Sequence, residues 1–338
     1  MAYFELSKKV LKEYYKKLEP IADIIAYNLK SNEVVGKVLE AETGCQFTIS
    51  SINSINTIKD KKRIIYILQG EEKKEVEKIF NSGIHSFIVD NPNDLKNVVT
   101  LNKKVTLFLR MKFKEHTVYT GKYFVYGFSW QDTNKLIKEL SKNKNIELGI
   151  HFHRKTQNIG EWNLAEEFFE AIEEENFKHI KIINIGGGIP IEYVNSMPDT
   201  KAIMASIKDF KTKLNKLGVK LMVEPGRFLA APGIRLHSKI KNIYDNNIIL
   251  DCSIYNAYFD TYLFHMRLMV LDENKGKEKY LLKGMSPDSL DIFRYSIMLP
   301  KKKIGDYITF LNAGAYNFYS EFNNMDKIET KIVNDFKK

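Results

Sequence analysis

The chain has 338 residues, 44% of them apolar and 28% charged, with a formal net charge of +10. This balance is ordinary for a soluble globular protein and gives no hint of disorder. The basic excess is scattered among Glu, Ile and Asn instead of forming an Arg/Lys face, which argues against a nucleic-acid partner.

The two cysteines, Cys45 and Cys252, cannot frame a disulfide scaffold and favour a reducing, cytoplasmic setting. The opening stretch MAYFELSKKVLKEYYKKLEP is amphipathic and charged, which suits neither a signal peptide nor a membrane span, and no later run is long and apolar enough to be one. From about residue 24 to 226, short β-branched apolar runs alternate with longer amphipathic ones. Strands are expected at 24–29, 45–50, 63–68, 85–90, 105–111, 148–153, 181–186 and 220–225, with helices such as NEVVGKVLEAET and TKAIMASIKDFKTKLNKLG between them. Eight such units predict an α/β fold, a (β/α)8 TIM barrel over residues 1–233. After Gly233 the texture turns to strands and polar turns, so a second, mostly β domain is expected over 234–338. The N-terminal segment is a candidate to pack on that domain.

In such a barrel, chemistry gathers where strands end at the C-terminal face. Lys30 ends the first expected strand, where a partly dry mouth would favour a reactive amine; a surface lysine is the plain alternative. His151 and His153 share one face of their strand, a pairing that suits a flat cofactor or backbone-bonded rim histidines better than a metal. Gly186, Gly187 and Gly188 end the next strand and can serve as a phosphate nest or simply a tight turn, without the spacing of a dinucleotide fingerprint. Glu224 closes the last expected strand and needs a cationic or hydrogen-bonding partner, such as a protonated ring nitrogen or a neighbouring basic side chain.

These segments together resemble the fold-type III pyridoxal-phosphate (PLP) decarboxylases, the family of ornithine, arginine and diaminopimelate decarboxylases related to alanine racemase. IIAYNLKSN is similar to the segment holding the Schiff-base lysine, HFHRKTQ to the HxHxGSQ element, NIGGGIP to the phosphate turn, and VEPGRFLAA to the EPGR strand. GMSPDSLD (284–291) and GDYITFLNAGAYN (305–317) resemble two further family segments, so the likeness spans almost the whole chain. It implies that Lys30 carries PLP, His153 stacks on the ring and Glu224 pairs with the ring nitrogen. It also implies that Gly186, Gly187, Gly188, the Gly226–Arg227 backbone, Thr156 and Tyr316 hold the phosphate, with Arg110 behind the ring. Asp251 and Asp288 would face the substrate side chain, Asp288 coming from the second subunit of a homodimer.

Two departures stand out. Pro287 occupies the place of a family cysteine that helps direct reprotonation, and Lys155 replaces a glycine beside the cofactor. Acidic Asp251 and Asp288 suit a distal cation, and the arginine expected for diaminopimelate is missing from IYNAYFDTY. The expected reaction is therefore PLP-dependent decarboxylation of arginine, ornithine or lysine, as in polyamine biosynthesis. A carboxylated polyamine or diaminopimelate as substrate, racemisation on the same fold, and a non-catalytic PLP-binding regulator remain the alternatives.

Overall fold

The computed structural model describes residues 1–113, 126–153 and 162–337. The expected site residue Thr156, and Lys155 beside it, lie outside these.

The chain begins with a strand that the sequence did not announce, β1 (Tyr3–Ser7). Ser7 ends it and caps the following helix, Lys8–Lys16, its Oγ accepting the amide of Val10 at 3.2 Å. The barrel strands follow: β2 (Ile24–Asn28), β3 (Gln46–Ile49), β4 (Ile64–Ile67), β5 (Ser86–Val89), β6 (Val105–Arg110), β7 (Ile146–His151), β8 (Ile180–Asn184) and β9 (Lys220–Val223). They fall inside or beside the eight expected runs and close through a parallel β2–β9 pairing.

Period-two alternation divides the barrel's apolar residues into two layers. Ala26, Ile65, Ile88, Phe108 and Met222 form one cluster, the packed lumen. Their strand neighbours, such as Tyr27, Phe47, Tyr66, Phe87 and Leu107, join the larger core under the helices. Gly149 sits opposite Phe108, and a Cβ there would stand 2.5 Å from the Phe108 ring. The lumen therefore admits the aromatic ring only because its partner has no side chain.

The second body is a sheet of β10 (Ile234–Tyr244), β11 (Asn247–Leu250), β12 (Glu278–Lys283), β13 (Ile292–Leu299), β14 (Tyr307–Phe310) and β15 (Thr330–Val333), joined by β1. Its order is β13-β12-β11-β10-β1-β15, with β14 also on β10. The β10–β11 hairpin turns on Asp245 and Asn246, both at positive φ (44° and 63°), as a tight two-residue turn requires. β1 pairs antiparallel with β10 and parallel with β15, so the chain's first strand belongs to the sheet built mainly from its last hundred residues. Leu11, fully buried in the first helix, packs onto the joint at Gly233, where a Cβ would meet it at 2.2 Å.

Candidate active site

The C-terminal ends of the barrel strands bring together most of the expected residues. Lys30 lies in a 3-10 turn, Leu29–Ser31, just beyond β2. It is exposed at the mouth, not in the dry environment expected of it.

Glu224 follows β9 and is 3% exposed. Burial alone would push its carboxyl up. His151, whose Nε2 lies 3.8 Å from Oε2, and Asn184, whose Nδ2 donates to Oε1 at 2.6 Å, outweigh this and hold it below the usual carboxylate range. Asn184 also accepts the amide of Gly186 at 2.9 Å, while the amide of Glu224 donates to the Gly186 carbonyl at 2.7 Å. The carboxylate and the glycine turn are thus tied into one unit.

That turn requires glycine. Gly186 and Gly188 have φ of +67° and +103°, a region that strains other residues, and a Cβ on Gly187 would stand 2.7 Å from the backbone oxygen of Glu224. A Cβ on Gly186 would meet His153 Nδ1 at 2.9 Å, so the imidazole lies directly against this turn. Burial is the largest influence on His153, and His151, Arg110 and Lys30 add to it; together they lower its imidazole to about 4 against the pull of Glu224. Arg110, at the end of β6, is itself pushed down by burial, opposed by Asp90, Glu224 and Tyr126, and its guanidinium lies 4.8 Å from the Tyr126 ring.

The second domain completes the mouth from the other side. Tyr316, at φ +53°, donates its amide to the Ser31 carbonyl at 2.9 Å. Asn32 accepts the amides of Val34 and Val35 as helix cap, and its Nδ2 donates to the Gly314 carbonyl (3.0 Å) and to Asn317 Oδ1 (2.9 Å). Gly314 in turn has no room for a Cβ, which would fall 2.0 Å from the Ala230 carbonyl. The lysine segment, the 227–230 helix and the 312–317 turn are therefore locked together.

Arg227 has its side chain engaged. Its Nη1 donates to Asp260 Oδ2 at 2.5 Å and to the Tyr193 hydroxyl at 3.0 Å, and its guanidinium lies 5.0 Å from the Tyr316 ring. Desolvation alone would lower its pKa, but Tyr193 and Asp260 more than reverse this, and it is raised further above its already high range. The Arg227 charge is thus engaged by Asp260 and Tyr193 and lies against the Tyr316 ring.

The two expected substrate carboxylates are placed differently. Asp251 Oδ1 accepts the Ser238 hydroxyl and the Lys239 amide, each at 2.8 Å, and its other oxygen lies 3.7 Å from the Met1 amine. Its contacts clip β11 to β10 within the sheet. Asp288 sits half-buried on the 284–291 loop, its Oδ1 accepting the Leu290 amide at 2.7 Å. Fully buried Asp291 shapes that loop by accepting the amides of Ile254 (2.9 Å) and Ser286 (3.0 Å).

The residues present suit a phosphorylated, electron-poor ring. The glycine turn is moulded against His153 and Glu224, a buried carboxylate held ionised faces that region, and Ser31 carries a buried hydroxyl that meets no partner among the described residues. The sequence description "Pyridoxal-dependent decarboxylase, pyridoxal binding domain" matches residues 6–231. The chain belongs to this family of PLP-dependent decarboxylases. It is 28% identical over 90% of its length to a diaminopimelate decarboxylase of Aquifex aeolicus, covering 79% of that protein. To a lysine/ornithine decarboxylase of Selenomonas ruminantium it is 21% identical over 92% of its length, covering 84% of the relative. Its fold matches a crystal structure of lysine decarboxylase from Selenomonas ruminantium with a TM-score of 0.83, at 20% identity, over 99% of this chain and 93% of the other. The cofactor is PLP and the activity is amino-acid decarboxylation. Among the described residues, no helix is long and apolar enough to cross a membrane.

Sequence reasoning missed Ser31, Asn32 and Asn184. Ser-Asn ahead of a helix is a capping signal, and a lone Asn inside an apolar strand asks for a buried partner. Both signals were legible; what they clamp was not.

Proposed function

We propose that this chain decarboxylates a basic amino acid, arginine, ornithine or lysine, releasing CO2 and the corresponding amine. The observation that carries the reading is Asp288 together with its surroundings. Asp288 stands half-buried on the 284–291 loop, while the 254–262 segment contains neither Arg nor Lys to receive a distal carboxylate. An ammonium or guanidinium end group is what a carboxylate at such a place recognises. Asp251, committed to the β10–β11 clip, is the weaker candidate of the two.

In this reading Lys30 holds the cofactor covalently, and the glycines 186–188, the Gly226–Arg227 amides and the Tyr316 hydroxyl hold its phosphate. Bound PLP supplies the electron sink that accepts the pair left at Cα when CO2 departs. Glu224, ionised and fixed by Asn184 and His151, keeps a proton on the ring nitrogen. His153, neutral near pH 7, gives the ring a flat and uncharged face. With proline at 287, the proton returning to Cα is assigned to the Lys30 amine.

We further propose a homodimer in which Asp288 serves the partner's site. Tyr255 lies beside Asp288, and its ring is 6.1 Å from that of Tyr262, which with Leu263 and Phe264 is exposed. Apolar exposure of this kind marks an interaction surface. Mixing Lys30→Ala protein with Asp288→Asn protein should then restore turnover that neither has alone.

The diaminopimelate reading has one observation in its favour, the 28% identity to the Aquifex aeolicus enzyme. PLP-loaded protein should be incubated with arginine, ornithine, lysine, meso-diaminopimelate and carboxynorspermidine, scoring CO2 and product amine. Turnover of one of the first three is expected. Lysine formed from diaminopimelate alone would replace the proposal with the second reading.

A further inference from the structure

Ser31 follows the cofactor lysine and is 1% exposed, yet its Oγ finds no hydrogen-bond partner among the described residues. Leaving a buried hydroxyl unpaired is costly, so such a group is expected to be completed by something that binds. Its direction is given by Gly226: a Cβ added there would stand 2.1 Å from Ser31 Oγ and 3.6 Å from the Tyr316 hydroxyl. The two hydroxyls therefore converge over the same glycine, one from the barrel and one from the second domain. The Ser31 carbonyl meanwhile accepts the Tyr316 amide, fixing the register between the two segments.

Charge sharpens the argument. The Arg227 guanidinium, one residue from Gly226, is committed to Asp260 and Tyr193, and the Lys30 amine, one residue from Ser31, is assigned to the cofactor's aldehyde end. An anion seated over Gly226 thus depends on N–H and O–H donors, and a hydrogen bond to a charged oxygen is about twice as strong as one between neutral groups. We propose that Ser31 is a cofactor-binding residue whose hydroxyl donates directly to the PLP phosphate, making the residue beside the cofactor lysine part of the phosphate cradle.

The test compares wild type, Ser31→Ala and Ser31→Cys, the last being close in size with a weaker donor. Each is titrated with PLP and with pyridoxal, which lacks the phosphate; the 31P resonance of bound PLP and the melting temperature without cofactor are also recorded. Ser31→Ala should raise the PLP dissociation constant roughly tenfold or more, with pyridoxal affinity within about twofold of wild type. Ser31→Cys should fall between, the 31P resonance should shift in both variants, and the cofactor-free melting temperature should hold, because the hydroxyl has no partner to lose among the described residues. PLP affinity within twofold of wild type in both variants would overturn the proposal, as would an equal loss for pyridoxal. Should Ser31→Ala fold poorly, the cysteine variant decides on the same criteria. Wild-type protein that failed to bind PLP at all would overturn the cofactor itself, and is read separately from the variants.

Discussion

Replacing His153 by Gln should flatten the acid side of the stability profile. The imidazole titrates near 6.5 in an unfolded chain and at about 4 in the fold, lowered first by burial and then by His151, Arg110 and Lys30. Between those values the unfolded state binds more protons, so stability rises with pH across the window. The contribution is fully present above about 6.5 and is lost as pH falls to about 4. A difference of this size is worth about 3 kcal/mol in all, most of it lying between pH 7 and pH 4.5. The assay is urea unfolding of cofactor-free protein at both pH values, since bound ligand would add its own linkage. Other groups titrate too, so the measured quantity is the difference in acid-induced loss between wild type and His153→Gln. The variant should lose about 2 kcal/mol less. Equal losses in the two proteins would show that the ring is not held neutral by its surroundings, and the account of its place against the glycine turn would fail.

Two further outcomes follow from the ion pairs of the site. Asp260→Ala leaves the largely buried Arg227 guanidinium without its carboxylate, which should cost about 3–5 kcal/mol in denaturant unfolding, and should also weaken PLP binding through Tyr316; an unchanged midpoint would refute it. Glu224→Gln should leave PLP bound while lowering kcat by roughly a hundredfold or more, because the ring nitrogen loses the group that keeps it protonated; retention of near-full kcat would remove Glu224 from the role proposed for it.

The barrel was legible because parallel strands buried on both faces read as nearly continuous apolar runs, as in IIYI of β4 and SFIV of β5. β1 was not, since YFELS is short, half charged or polar, and leads straight into a helix; only its partners β10 and β15, more than 220 residues away, make it a strand. Glu224 and the glycine triplet were legible because their residue types are costly where they stand, whereas exposed Lys30 stood out by its place after the first barrel strand and by the likeness of its segment. The turn of Arg227 toward Asp260 was not: the two are 33 residues apart, and their pairing depends on how the 254–264 helical segment folds over the barrel. Asp251 shows the converse, a carboxylate whose type suggested a substrate but whose neighbours in the sheet claim it.

The same contacts tie the part of the barrel that contains Lys30 and Gly226 to the second domain. Asn32 joins the start of the helix Glu33–Glu42 to the 314–317 turn, Ser31 meets the amide of Tyr316, and Gly314 lies on the carbonyl of Ala230. Each of these links crosses from a barrel segment near Lys30 or Gly226 to the turn that follows β14. A phosphate placed among Gly226, Tyr316 and the glycine turn would therefore bridge the two bodies and stabilise their joint by mass action in proportion to its affinity. Substitutions at this seam, such as Asn32→Ala, act on cofactor retention through geometry, without removing any group that touches the reacting atoms.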